Sequence, residues 1–129
     1  MTADALLAKA VQAARSARTL LEQGDTDGAC NRAYYAMFDA ARAVLLAGGQ
    51  DTGRTHKGML NAFGAFLLKD ARLPRETGRL LKRAEAFRYV ADYSDAAVDR
   101  DEAAEMIRNA ETFVAAVQSL LAPPAAARE

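Results

Sequence analysis

The sequence has few of the residues that interrupt helices or build covalent and metal-bound frameworks. Its 129 residues include one cysteine, one histidine, three prolines and no tryptophan. A single cysteine excludes an intramolecular disulfide, and with only one histidine a conventional zinc site would need several carboxylates. We therefore expect no metal site and no other cofactor.

An excess of charge of either sign is also missing. Lys plus Arg and Asp plus Glu number 17 each, so the formal net charge is zero. A dedicated nucleic-acid-binding module usually carries a basic excess, which argues against long-range capture of nucleic acid but leaves room for a local basic patch. A near-neutral surface does little to keep molecules apart and favours self-association.

Long hydrophobic runs are absent. No apolar stretch approaches the ~18 residues of a membrane span, and the first residues mix apolar and basic side chains too early for a signal peptide. We expect a cytoplasmic protein that does not enter the membrane.

Alanine-rich segments with helical spacing make up most of the chain. Alanine is the best helix former, and the apolar residues recur three and four positions apart, without the alternation of strands. Short loops between helices of this length make sequential neighbours antiparallel. The sequence predicts one all-α domain over 1–129, an antiparallel up-and-down bundle of about five helices with a four-helix core, ordered over roughly 3–121 with a tail at 122–129. The predicted bounds are Thr2–Gln23, a second helix ending at Ala47, a third beginning at Thr55, Pro74–Tyr93 and Asp101–Leu121.

The second helix contains the first candidate site. Its wide apolar face predicts a central place in the bundle. Tyr34 and Tyr35 point about 100° apart on a helix, so one packs in the core while the other lies at its edge. Tyr35 and Asp39 are four residues apart and within hydrogen-bonding reach, and Arg32 lies three residues before Tyr35 on a similar face. Tyrosines that only pack, with their hydroxyls satisfied at the rim, fit the same pattern.

The end of the fourth helix contains the second candidate. Arg88 and Asp92 form an i,i+4 pair, as do Tyr89 and Tyr93. Arg88 directly follows the core position Phe87, which places it near the seam between helices. A structural ion pair that holds the helix end is the alternative to a functional role.

The start of the third helix contains the last candidate. Thr55 is a natural N-cap, and His56 and Lys57 lie in the first turn, with Arg54 just before it. Free backbone amides and the helix dipole favour anions there, and added cations would help to hold a phosphate. A lone histidine beside a cap is also a common surface residue.

Together, these strips resemble the HEPN family, specifically its small single-domain prokaryotic branch. The resemblance rests on RAYYAMF at 32–38, THKG at 55–58, and Arg88 followed by ADY at 91–93. It covers the chain from roughly Leu6 to Leu121. It implies a helical bundle that dimerises and that pairs with a small nucleotidyltransferase in toxin–antitoxin modules, with RNA or a nucleotide as the molecule acted on.

Active members of the wider family are metal-independent ribonucleases, and the resemblance assigns their roles only in part. They use an Arg followed four to six residues later by His, with two copies meeting across the dimer. Arg88 matches the arginine, whereas residues 89–95 contain no histidine and Asp39 stands where many relatives carry one.

Three hypotheses follow, in order of preference. The first is an atypical HEPN component that works with a nucleotidyltransferase, with Tyr93 or a neighbour as a modification target. The second is a ribonuclease toxin using Arg88 and Asp92, with His56 brought near by the fold or the dimer. The third is a nucleotide- or phosphate-binding module in which Arg54, His56, Lys57 and Arg88 supply donors.

Overall fold

The computed structural model of the protein describes residues 1–50, 52–53 and 55–123. The predictions made for Arg54 and for the tail beyond 123 concern residues outside this description. Five helices follow one another, and the described parts of the chain contain no strand. They are α1 (Ala3–Glu22), α2 (Thr26–Ala47), α3 (His56–Lys69), α4 (Glu76–Tyr93) and α5 (Arg100–Leu121). The predicted all-α bundle is confirmed, with helix ends within about three residues of those expected.

Side-chain caps explain where four of these helices begin. Thr2, Asp25 and Thr55 each accept a hydrogen bond from the backbone N–H three residues later, at 3.1, 2.8 and 2.9 Å. Asp99 accepts from the first backbone N–H groups of α5. Each cap satisfies a donor that the helix itself leaves unpaired. Of the two candidates at the N-terminus, Thr2 and Asp4, Thr2 is the cap.

The start of α4 differs from the prediction. Pro74 was expected to open the helix, but α4 begins at Glu76. The Pro74 carbonyl accepts a hydrogen bond from the Thr77 N–H at 3.0 Å, so a short turn precedes the helix. Proline therefore sets the direction of the chain two residues before the helix that it was expected to begin.

The predicted central position of α2 is confirmed, because it contacts each of the other four helices. Small residues let α1 approach it closely: Ala10, Ala13 and Ala17 of α1 are buried, as are six alanines of α2. Larger side chains fill the space toward the other helices, where the rings of Phe63 and Phe113 lie 5.7 Å apart. The motif residues of α2 thus stand in the middle of the molecule, facing α3 on one side and α4 on another.

Candidate functional site

Tyr34 lies at the centre of the site. Its side chain is completely buried, and its hydroxyl lies 3.2 Å from Nδ1 of His56, the first residue of α3. Burial, followed by the charge of Glu85, raises the pKa of Tyr34 well above its usual value. The hydroxyl therefore stays protonated. It donates to Nδ1 when the histidine proton is on Nε2, and accepts in the other tautomer.

Arg88 lies on the other side of Tyr34. Its guanidinium carbon is 5.1 Å from the centre of the Tyr34 ring, a cation–π distance. Arg88 also donates to Oδ2 of Asp92 at 3.2 Å, which confirms the predicted pair, while Oδ1 of Asp92 lies 3.5 Å from the Asn31 side-chain amide. Asp92 thus connects α4 to α2. The structure therefore brings the single histidine and the motif arginine to the same tyrosine.

The environment of the Arg88 guanidinium is unusual. Only 17% of the side chain is exposed, and its Nε is buried without a hydrogen-bond partner in the described structure. Burial alone would lower the pKa of Arg88, but the hydrogen bond to Asp92 and the nearby Tyr35 and Tyr34 raise it overall. A guanidinium with an unused buried donor is expensive to keep in a fold, and each such group calls for an explanation.

Asp39 departs from the prediction. Its carboxylate does not bond to Tyr35 but pairs with Arg42, three residues on, at 3.5 Å. The preceding Arg32 lies over the Tyr35 ring at 5.8 Å, as its spacing suggested. Burial raises the pKa of Asp39 above its ordinary value, and the opposing effects of Arg42, Lys9 and Arg32 do not cancel it. An i,i+3 arginine therefore replaced the i,i+4 tyrosine as the partner.

The outer face of α4 presents the second tyrosine pair. The rings of Tyr89 and Tyr93 lie 4.6 Å apart, as their i,i+4 spacing predicted. They are 60% and 71% exposed, and Val90 between them is 48% exposed. Tyr93 directly follows Asp92, so an accessible phenol lies beside the Arg88 ion pair.

The start of α3 is only partly described. Thr55 caps the helix as predicted, and the His56 ring packs on Phe38 with 4.5 Å between ring centres. Lys57 is exposed. An anion site that combines His56 with Lys57 and Arg54 stays a prediction, and Arg54 lies outside the described residues.

Three contributors to the site carried no clear signal in the sequence. Arg42 and Phe38 flank His56, and Lys9 reaches the same surface from α1. Only the i,i+3 spacing of Arg42 to Asp39 pointed to any of them. In the described part of the chain no group of three or more histidine, cysteine or acidic side chains is placed to hold a metal ion.

The fold and the site define an all-helical bundle with a buried tyrosine that joins a histidine at one helix start to an arginine–aspartate pair at another helix end. The HEPN domain family matches residues 3–120, and the chain belongs to the HEPN family. A UPF0332 protein of Gloeobacter violaceus is 40% identical over 91 residues, which are 70% of this chain and 71% of that one. A protein of Methanocaldococcus jannaschii named "Putative toxin" is 30% identical over 92% of this chain and 87% of its own.

A solved structure supports the same grouping. The crystal structure of a Thermus thermophilus protein superposes with a TM-score of 0.77 and 28% identity, covering 92% of this chain and 98% of that one. Among the described helices, none is both long enough and apolar enough to cross a membrane.

Proposed function

We propose that this protein is the toxin-like half of a cytoplasmic two-protein module, that it acts as a homodimer, and that its partner is a nucleotidyltransferase antitoxin. The observation that carries the proposal is the assembly of Tyr34, His56, Arg88 and Asp92 into one cluster beside the exposed Tyr93. Two M. jannaschii relatives named as toxins agree with it. The target is RNA or a nucleotide.

Tyr93 is the residue on which the partner acts. Its phenol is 71% exposed at the last position of α4, so another protein's active site can reach it. In the reaction, the phenol oxygen forms a bond to the α-phosphorus of a nucleoside triphosphate. The bond to the bridging oxygen breaks, pyrophosphate leaves, and the phenolic proton is released. The added phosphodiester places a negative charge beside Asp92 and Arg88.

Co-expression with the nucleotidyltransferase encoded next to this protein tests the proposal. We expect growth arrest when the protein is expressed alone, relief when the partner is present, and an intact mass increased by one nucleoside monophosphate. Tyr93→Phe removes the mass increase and the relief. Tyr89→Phe is the matched control, because Tyr89 is also exposed and stacks on Tyr93. Absence of arrest, or a mass increase that persists in Tyr93→Phe, would contradict the proposal.

A second candidate function is a metal-independent ribonuclease, and the contact of both His56 and Arg88 with Tyr34 favours it. His56 would transfer the proton of the attacking ribose 2′-hydroxyl, and Arg88 would stabilise the charge that develops on the phosphate. Asp92 opposes this role because its carboxylate already neutralises Arg88 and repels a phosphodiester. RNA cleavage by the purified dimer that Arg88→Ala abolishes would support it, whereas cleavage indifferent to Arg88→Ala would refute it.

A further inference from the structure

One surface of the protein is strongly basic although the chain is neutral. A groove of about 350 Å³ on α1 and α2 reaches the first turn of α3. Its lining includes Lys9, Arg32, Tyr35, Asp39, Arg42 and His56. We call it the α1–α2 groove.

Two neighbouring depressions extend this groove. The first, of about 360 Å³, shares Arg32 with it and adds Arg15. The second, of about 200 Å³, shares Arg42 and His56 and continues toward Thr55. Among the described residues that line these three hollows, the only carboxylate is that of Asp39. With 17 basic and 17 acidic residues in the chain, this concentration of cations produces a local positive potential despite zero net charge.

Asp39 gives the groove a second property, an acceptor that lacks donors. Its side chain is only 12% exposed, and its one hydrogen bond in the described structure is the 3.5 Å contact with Arg42. That distance is at the limit of a hydrogen bond, while a carboxylate offers about four acceptor positions. A ligand that fills the groove must therefore bring anions for the cations and a hydrogen-bond donor for Asp39.

His56 supplies a donor at the α3 end of the groove. Its Nδ1 is occupied by the Tyr34 hydroxyl, and Nε2 has no hydrogen-bond partner among the described residues. When the hydroxyl donates to Nδ1, the Nε2 atom carries a proton and becomes a donor. The half-buried Tyr35 ring adds an aromatic surface to the same groove.

We infer that the α1–α2 groove binds a single strand of RNA, with phosphates against Lys9, Arg32 and Arg42 and a ribose 2′-hydroxyl donating to Asp39. An RNA strand carries a hydroxyl donor beside every phosphodiester, which DNA lacks. An acidic peptide has no comparable donor beside each anion. The inference rests on the proposed function in one respect only: it names RNA as the target and gives the surface that holds it.

The first test measures the contribution of the basic residues. Lys9→Gln, Arg15→Gln and Arg32→Gln are combined, because none of the three side chains makes an ion pair in the described structure. The matched control combines Lys69→Gln, Arg79→Gln and Arg108→Gln on other faces, with the same loss of three charges. The probe is a fluorescent oligouridine, whose binding is titrated at several salt concentrations.

We expect the groove variant to bind oligouridine more weakly and the control to bind like the wild-type protein. Three lost phosphate contacts lower the slope of log K against log salt by about 2, at ~0.7 per contact for a single strand. Equal losses in both variants would show that only net charge matters and would overturn the inference. Failure of the wild-type protein to bind oligouridine would also overturn it.

The second test concerns Asp39 and the sugar. Oligouridine and oligodeoxyuridine differ only at the 2′ position, so their affinity ratio isolates the contact. The wild-type protein should prefer RNA by about tenfold, the effect of one hydrogen bond to a charged group. Asp39→Ala should reduce the ratio to about one by strengthening DNA relative to RNA, and Asp39→Asn, which keeps an acceptor oxygen, should retain part of it. Equal binding of the two strands by the wild-type protein, or an unchanged ratio in Asp39→Ala, would refute the Asp39 contact. If Asp39→Ala does not fold, Asp39→Asn decides the question.

The two proposals fail in distinguishable ways. Binding of oligouridine by the groove, without toxicity or a nucleotidyltransferase partner, would refute the proposed function and leave the groove standing. Toxicity relieved by the partner, without any RNA binding, would do the reverse. Tyr93→Phe should leave oligouridine binding unchanged, because Tyr93 does not line the groove.

Discussion

The hydrogen bond between Tyr34 and His56 is the contact whose removal tests the site most directly. Tyr34→Phe deletes one oxygen from a fully buried side chain and leaves the aromatic ring, together with its contact to Arg88, in place. The hydroxyl lies 3.2 Å from His56 Nδ1, in a contact that is partly buried. The substitution therefore removes one hydrogen bond and leaves a nitrogen without its partner.

The expected cost is about 1 kcal/mol for the bond, rising to about 2 kcal/mol if the nitrogen stays dry. For a chain of 129 residues, 1 kcal/mol corresponds to a fall of about 4 °C in the melting temperature. Urea and thermal unfolding, followed by the helical circular dichroism signal, measure both quantities. A double-mutant cycle with His56→Ala isolates the pair and should give a coupling energy of about 1 kcal/mol.

Tyr35→Phe is the matched control. Tyr35 adjoins Tyr34 and is only half buried, and its hydroxyl makes no hydrogen bond in the described structure. Its loss should change stability by less than ~0.5 kcal/mol. Equal effects of the two substitutions, or a coupling energy indistinguishable from zero, would show that the Tyr34–His56 bond does not hold α3 against α2.

Three further predictions concern charge, reactivity and backbone strain. Because the folded pKa of Asp39 is raised above 3.8, the stability it contributes is full below that pH and is lost as pH rises through the folded value. Asp39→Asn should therefore gain stability relative to the wild type between acidic and neutral pH in urea titrations, and a difference independent of pH would contradict this. Burial raises the pKa of Cys30 to about 11, so a thiol reagent should label it only after unfolding. Labelling of the native protein at the unfolded rate would be the contrary result. Gly53→Ala, at φ +76°, forces a Cβ to within 3.1 Å of the Met59 nitrogen, whereas Gly49→Ala, at φ +73°, meets nothing within 4 Å. Thermal unfolding should show about 1–2 kcal/mol of backbone strain in both and a larger loss in Gly53→Ala, and equal losses would exclude the contact.

The helices could be predicted because their signals are local. The spacing of apolar residues, the capping side chains and the glycine after α1 all act within a few residues of the helix ends. The same local reasoning predicted the burial of one tyrosine of the Tyr34–Tyr35 pair, the pairing of Tyr89 with Tyr93 and the ion pair between Arg88 and Asp92. These are neighbours on a single helix, whose geometry does not depend on the rest of the fold.

The rest of the site depends on how helices are set against one another. Nothing in the local pattern places Lys9 of α1 beside Arg42 of α2, or the ring of His56 on Phe38, since the register between helices comes from the packing of the whole core. The partner of Asp39 was mistaken for a related reason. Both Tyr35 and Arg42 lie within reach of it along the helix, and burial decides which one the carboxylate meets.

Asp39 is the residue for which stability and binding make opposite demands. Its carboxylate lies in the side of a core helix, where burial disfavours the charge and one weak ion pair does not compensate. A purely structural role predicts that Asp39→Asn loses stability and that the preference for RNA over DNA stays as it was. A role in contacting the ribose predicts the reverse, a gain in stability near neutral pH together with a weaker preference for RNA, as expected where a binding group is kept at a cost to the fold. Unfolding and binding measured on this single variant therefore separate the two explanations.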